Sequence, residues 1–264
     1  ERAGRVAASR QKASVVRVGG RGGRLGRAGI VVTHDLGVIA GYTDRVAVMY
    51  AGKIVETSST RDLFANPRHP YTEALFRALP ENVDSDRRLY AIPGLPPDLS
   101  NPPQGCRFAA RCAYATDECR AQEPELIGDG HPFACFHPLG AKEQATPNPH
   151  TPLAVAAGAS ALLEVRNLVR TFPVTSNGVL QRRIGAVSAV ADVSFTVHTG
   201  ETFGLVGESG CGKSTIGRLL VAADPPTSGS ITFCGLATSG KPTPDPPQYP
   251  RVLQPMFQEP RPPP

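Results

Sequence analysis

Apolar and polar positions along this chain fall into short runs whose period changes several times. Ile30 to Thr33 is a β-branched run ending in His34-Asp35, the pattern of a buried strand that delivers two polar side chains at its carboxyl end. Arg45 to Tyr50 and Lys53 to Val55 alternate around Ala51-Gly52 and predict a β-hairpin. Ser59-Thr60-Arg61-Asp62 has capping-box character and opens a short helix that stops before Pro67. A second helix begins at His69-Pro70-Tyr71, with Pro70 in its first turn and Tyr71, Leu75 and Leu79 on its buried face. From Pro80 to about Leu139 the pattern loosens, and Ala141 to Ala161, with Pro147, Pro149 and Pro152 among small residues, predicts an interdomain linker.

Order resumes at Leu162. Leu163-Glu164-Val165 and Val193 to Val197 alternate as strands, separated by a polar loop containing Gly178 and Gly185. Thr202 to Val206 predicts a buried strand, and Thr215 to Val221 a helix with Ile216, Leu219 and Leu220 on one face. Pro225 to Gly229 reads as a turn and Ile231 to Phe233 as a strand, whereas ten prolines between Pro242 and Pro264 predict neither sheet nor helix there.

Between the buried strand and the helix lies Gly207-Glu208-Ser209-Gly210-Cys211-Gly212-Lys213-Ser214-Thr215, which fits G-x-x-x-x-G-K-[ST]. The glycines let the backbone turn tightly so that successive N–H groups point at a β-phosphate, and the helix start adds its positive end. Lys213 is placed to reach the β- and γ-phosphates and the Ser214 hydroxyl to ligate Mg²⁺. The motif and its context predict a nucleoside triphosphate site.

Composition qualifies this picture. The 264 residues include 27 Gly and 27 Pro, more than a compact α/β domain usually carries, so part of the chain reads as linker or tail. Residues 1–29 hold eight Lys or Arg and one acid, which leaves the remainder at a net charge of −2. With no aromatic in that basic Gly/Arg tract to stack on bases, a solvated disordered tail is expected rather than a nucleic-acid site. No run approaches the ~18 apolar residues of a membrane-spanning helix, and the basic start has no apolar core of a secretory signal. A reducing, cytosolic compartment follows as the expectation.

In order, these pieces resemble the end of one nucleotide-binding domain of an ABC transporter and the beginning of another. Val32 to Gly37 is similar to that family's switch-histidine loop, and Val48 to Glu56 to the strand pair after it. His69-Pro70-Tyr71, Ile92-Pro93-Gly94 and the four-cysteine region resemble the C-terminal extension of the ATPase subunits of oligopeptide and dipeptide importers. The resemblance implies an α/β fold of partial P-loop NTPase domains with a loop-rich four-Cys extension and disordered termini. Its divisions are a basic tail over 1–28, the C-terminal portion of a first nucleotide-binding domain over 29–79, the extension over 80–140, a linker over 141–161 and the N-terminal portion of a second domain over 162–264.

Carried over residue by residue, the resemblance implies ATP and Mg²⁺ as ligands. Phe172 would stack on adenine, Gly207 to Thr215 would hold the phosphates, and Gln258 would sense Mg²⁺ and couple to the membrane subunits. His34 would contact the γ-phosphate. The implied partners are transmembrane permease subunits, a substrate-binding protein and a second nucleotide-binding domain, at the cytoplasmic face of the membrane. Two elements of the family pattern do not occur in this sequence, the LSGGQ-type signature and an apolar strand ending in Asp-Glu. The expected function is the ATP-binding component of a peptide importer. The alternative is a truncated or frameshifted product that binds ATP without hydrolysing it and has no transport role.

Cys106, Cys112, Cys119 and Cys135, separated by five, six and fifteen residues, supply four thiols in a segment with few core residues. They are expected to converge, with an iron–sulfur cluster, zinc or unmetallated thiols all open. The spacing is wider than the paired C-x₂-C of zinc ribbons, and the resemblance adds a [4Fe–4S] cluster found in some family members. Cys211 and Cys234 read as small buried residues, the latter on a strand. The resemblance implies further that the two halves share one parallel sheet, with Ile30 to Thr33 beside Thr202 to Val206 and His34 brought towards the Gly207 loop, as both strands are apolar enough to be buried on two faces.

Overall fold

The computed structural model describes residues 14–18, 28–79, 90–140, 160–175, 183–237 and 253–256. Its strands are β1 (Ser14–Val18), β2 (Ala28–Val32), β3 (Arg45–Tyr50), β4 (Lys53–Ser59), β5 (Ala161–Thr175), β6 (Arg183–His198), β7 (Thr202–Val206), β8 (Ser228–Phe233), β9 (Leu236–Ala237) and β10 (Leu253–Met256). Its helices are α1 (Leu36–Tyr42), α2 (Thr60–Ala65), α3 (Pro70–Arg77), α4 (Asp117–Ala121) and α5 (Lys213–Leu220). None is long and apolar enough to cross a membrane.

The strands build two sheets. A six-stranded sheet has the order β10-β1-β2-β7-β3-β4, and a four-stranded antiparallel sheet the order β6-β5-β8-β9. At the centre of the larger sheet β7 lies between β2 and β3 and is parallel to both, with Ile30 opposite Phe203, Val32 opposite Leu205 and Ala47 also opposite Leu205. The two halves of the chain therefore share one sheet: the β-branched strand from the first half pairs directly with the strand that enters the Gly207 loop.

Both faces of that centre are apolar, as a parallel strand buried on two sides requires. Ile30, Val32, Ala47, Met49, Phe203 and Leu205 face a core completed by Leu163, Val165, Leu168 and Val193 of the antiparallel sheet and by Ile216, Leu219 and Leu220 of α5. Their neighbours Val31, Val46, Val48, Tyr50 and Val206 face the opposite way, against Leu36, Ile39, Leu63, Tyr71 and Phe108. Gly204 continues the second face. A Cβ there would press on Ile39 Cδ1 at 2.8 Å and Thr43 Cγ2 at 3.2 Å, so the missing side chain lets α1 lie close on β7.

Local signals operate as their chemistry requires. Ser59 Oγ accepts the Asp62 N–H at 3.0 Å and caps α2. His69 Nδ1 accepts the Tyr71 N–H at 3.0 Å and caps α3, whose first residue is Pro70. Tyr71 is fully buried on that helix, while Leu75 and Leu79 are only partly covered.

Four sequence expectations need correction. Ser14–Val18, within the expected disordered tail, forms a strand antiparallel to β2, because the segment is β-branched and β2 has an edge to offer on the side away from β7. Leu253–Met256, within the proline-rich end, pairs antiparallel with β1. Its Pro255 is accommodated because β10 is an edge strand, where a sheet tolerates a residue without an N–H. The short strands at Leu163 and Val193 are parts of a 15-residue and a 16-residue strand, the second of which takes in Gly185 of the expected loop. Cys234 lies just past β8 in a turn, at φ 49° and only half-buried, rather than on the strand. The linker expected over 141–161 lies almost wholly outside the described residues.

Candidate nucleotide-binding site

The site forms where the parallel strands end. β7 runs out at Val206 into Gly207, and α5 begins at Lys213 with Gly212 as its N-cap at φ 106°. Two glycines are dictated by close approach. A Cβ at Gly207, at φ 150°, would run into the Met49 carbonyl oxygen, and one at Gly212 into the Ala189 carbonyl oxygen. The loop is thus seated between the β3–β4 hairpin and β6, and Gly52 N–H donates to Cys211 O at 2.9 Å. Gly210, at φ 81°, faces open space, and with Ser209 it forms the exposed rim.

Lys213 is buried and its ammonium curls back over the loop, donating to Gly207 O and Glu208 O at 2.8 Å each and to Cys211 Sγ at 3.4 Å. All three acceptors belong to the loop itself, so phosphate oxygens could replace them without breaking the fold. Ser214 is exposed in the first turn of α5, with Thr215 half-buried beside it. Cys211 is buried, and that burial pushes its thiol pKa up, with Lys213 opposing. It is therefore packed as a small apolar residue, as its position in the sequence suggested.

His34 stands at the same end of the sheet. Thr33 N–H, from the residue before it, donates to Leu205 O at 3.1 Å, two residues short of Gly207. Asp35, the residue after it, caps α1 by accepting from Gly37 N at 2.9 Å and Val38 N at 3.3 Å. His34 is held between two anchored neighbours and is exposed. Phe172 sits farther along the antiparallel hairpin, opposite Val187, two residues from the Ala189 that abuts Gly212. The Arg170 guanidinium lies over its ring at 4.6 Å and donates to Pro225 O. Gln258 lies outside the described residues.

The structure adds residues that spacing alone did not reveal. Arg111, next to Cys112, grips the Glu208 carboxylate with two bonds of 2.7 and 3.1 Å. Glu208 N–H donates to Tyr71 Oη at 2.8 Å, and Arg111 Nη1 donates to Tyr50 Oη at 3.2 Å. Glu208 chiefly holds the guanidinium charged, pushing its pKa up further, while burial pushes the phenols of Tyr50 and Tyr71 up. The advance signal was Tyr71 on a helix face; an arginine in a loosely patterned loop carries none.

Cys106, Cys112, Cys119 and Cys135 line one small cavity of about 10 Å³, together with His69, Phe108 and His137, and Cys211 and Cys234 lie elsewhere. The four thiols thus converge on one place. The expected iron–sulfur or zinc set does not form: among the described residues no group of three or more His, Cys, Asp or Glu side chains could hold a metal ion. The cavity has room for about one water, not a cluster. Burial raises the thiol pKa of Cys106, Cys112 and Cys135, the last to about 11.

Residues 55–119 match the family described as oligopeptide/dipeptide transporter, C-terminal region, and residues 190–264 match the family described as ABC transporter. The oligopeptide transport ATP-binding protein OppD of Mycobacterium tuberculosis is 38% identical over 245 residues, which is 88% of this chain and 39% of that protein. The dipeptide transport ATP-binding protein DppD of Escherichia coli is 46% identical over 112 residues, 42% of this chain and 34% of its own length. The OppD of Bacillus subtilis is 51% identical over 105 residues, 39% of this chain and 29% of that protein. The chain spans about two-fifths or less of the length of these curated relatives. Within one polypeptide it matches first an oligopeptide/dipeptide transporter C-terminal region and then an ABC transporter domain, and it is similar over most of its length to an oligopeptide transport ATP-binding protein.

Proposed function

We propose that this chain is an ATP-binding component that energises a peptide importer, working at the cytoplasmic face of a membrane with permease subunits, a substrate-binding protein and a second nucleotide-binding domain. The observation that carries the reading is the Gly207 loop seated at the carboxyl end of a parallel strand, with Lys213 over it and His34 at the same sheet end. The names of the relatives support the peptide class.

The residues fit the ligand. Gly207 to Gly212 wrap a cradle in which Gly207 and Gly212 leave no room for a Cβ, Lys213 would exchange its bonds to loop carbonyls for bonds to phosphate, and Ser214 offers a hydroxyl for Mg²⁺. Bound ATP with Mg²⁺ supplies the triphosphate whose charge these groups would hold. Phe172 and Gln258 complete the proposal, as the adenine platform and the Mg²⁺-sensing residue. Among the described residues the four cysteines, as arranged, form no group that could hold a metal ion, and the proposal includes none.

Titration calorimetry tests the reading. Lys213→Ala removes a charge-assisted contact to phosphate, so MgATP binding should weaken by about 1.5–3 kcal/mol. Equal affinity in the two proteins would defeat it.

A further inference from the structure

The contact between the cysteine region and the phosphate loop is built from the cysteine side. Arg111 Nε donates to Pro93 O at 2.8 Å and Nη2 to Ile92 O at 3.3 Å, so its guanidinium plane is set independently of Glu208. Its side chain is only 4% exposed, while that of Glu208 is 28% exposed. The ring of Tyr50 lies 4.5 Å from that of Tyr71 and 5.2 Å from that of Phe108, and both phenol oxygens take part in the same contact. Glu208 is thus held three ways, by two bonds to its carboxylate and one to its N–H.

Glu208 directly follows Gly207, and its own carbonyl oxygen accepts from Lys213. Its carboxylate is engaged by Arg111 rather than by the loop. A bidentate arginine–carboxylate pair fixes direction as well as distance. We propose that Arg111 is a positioning residue for the phosphate loop: acting through Glu208, it holds the loop in the phosphate-binding conformation and ties that conformation to the packing of the four-cysteine region. The proposal rests on the nucleotide reading only for the ligand, because the loop conformation can be read without one.

Cys211, buried at 4% exposure within the loop, is the reporter. Alkylation by iodoacetamide, followed peptide by peptide by mass spectrometry, is measured in the intact chain and in Arg111→Ala, Glu208→Gln and the double variant. Each single substitution should raise the Cys211 rate about tenfold, and the double variant should go no further, because both changes break one linkage. The Cys234 rate, in a turn of the other sheet, should stay constant. An unchanged Cys211 rate, additive effects, or a parallel rise at Cys234 that signals general unfolding would each overturn the proposal. MgATP titration of the same proteins should show Arg111→Ala binding about tenfold more weakly, with Arg111→Lys between it and the parent. If the parent chain does not bind MgATP the nucleotide reading falls, and the Cys211 rates still decide whether Arg111 holds the loop.

Discussion

The imidazole of His69 is buried at the start of α3, where Nδ1 already accepts the Tyr71 N–H. Burial lowers its pKa from 6.5 to about 4, with Glu56 pulling the other way. Protonation would put a charge where water cannot reach it and remove the cap acceptor at the same time. Between those two pKa values the unfolded chain binds a proton that the folded chain refuses, so this contribution is complete above pH 6.5 and is lost as the pH falls towards 4. Asparagine keeps a capping oxygen and does not titrate. Chemical denaturation at pH 7 and pH 5 should therefore show the parent chain losing about 2 kcal/mol more than His69→Asn, at roughly 1.4 kcal/mol per pKa unit. Equal losses would mean that His69 is not the titrating group. At this scale the sequence spoke unevenly: Pro70 announced the cap position, but nothing in the spacing said that Glu56, Arg111 or Tyr50 would be drawn to the same region.

Elements with an uninterrupted period were legible. The hairpin of β3 and β4, the caps of α2 and α3 and the strand–loop–helix unit of β7 and α5 all lie where alternation, caps and glycines put them. The long β5–β6 hairpin was not, because irregularities shift its phase. Asn167 and Asp192 take positive φ of 48° and 57° and bond each other at 2.8 Å, and each shift moves the apolar set to the other face. Strand direction also bears on the proposed ATP chemistry. β2, β7 and β3 deliver His34, the Gly207 loop and the Ala51-Gly52 turn at one end, but β1 on the outer side of β2 is antiparallel and points its carboxyl end away. Among the described residues, Asp35 beside His34 caps α1, Glu208 beside Gly207 holds Arg111, and Glu123 near the hairpin turn pairs with Lys53. Positioned phosphates without a group to orient the attacking water give little rate. The chain alone should turn over ATP far below ~1 s⁻¹, the low end for enzymes. A phosphate-release assay giving about 1 s⁻¹, abolished in Lys213→Ala, would contradict this.

For the whole molecule, the pairing of β2 with β7 joins segments far apart in sequence into one sheet, with Gly29 N–H donating to Glu201 O at 2.9 Å and Thr33 N–H to Leu205 O at 3.1 Å. The pairing was foreseeable because the family resemblance sets the strand before the switch histidine beside the strand of the phosphate loop, and because each strand is apolar enough to be buried on two faces. What the residue pattern did not show was the part played by the cysteine region, whose Arg111 reaches Glu208 of the Gly207 loop and whose Leu99 carbonyl accepts from Ser188 N–H at 2.9 Å. If the halves are one cooperative unit, damage in one must be felt in the other. Ile30 is fully buried on β2 opposite Phe203, and truncation to alanine should cost about 2–5 kcal/mol. Hydrogen exchange read by mass spectrometry should then show the amides of Phe203 to Val206 speeding up as much as those of β2 itself, because both open in the same event. Acceleration confined to β2, with β7 exchanging at its original rate, would show two independently stable fragments lying side by side.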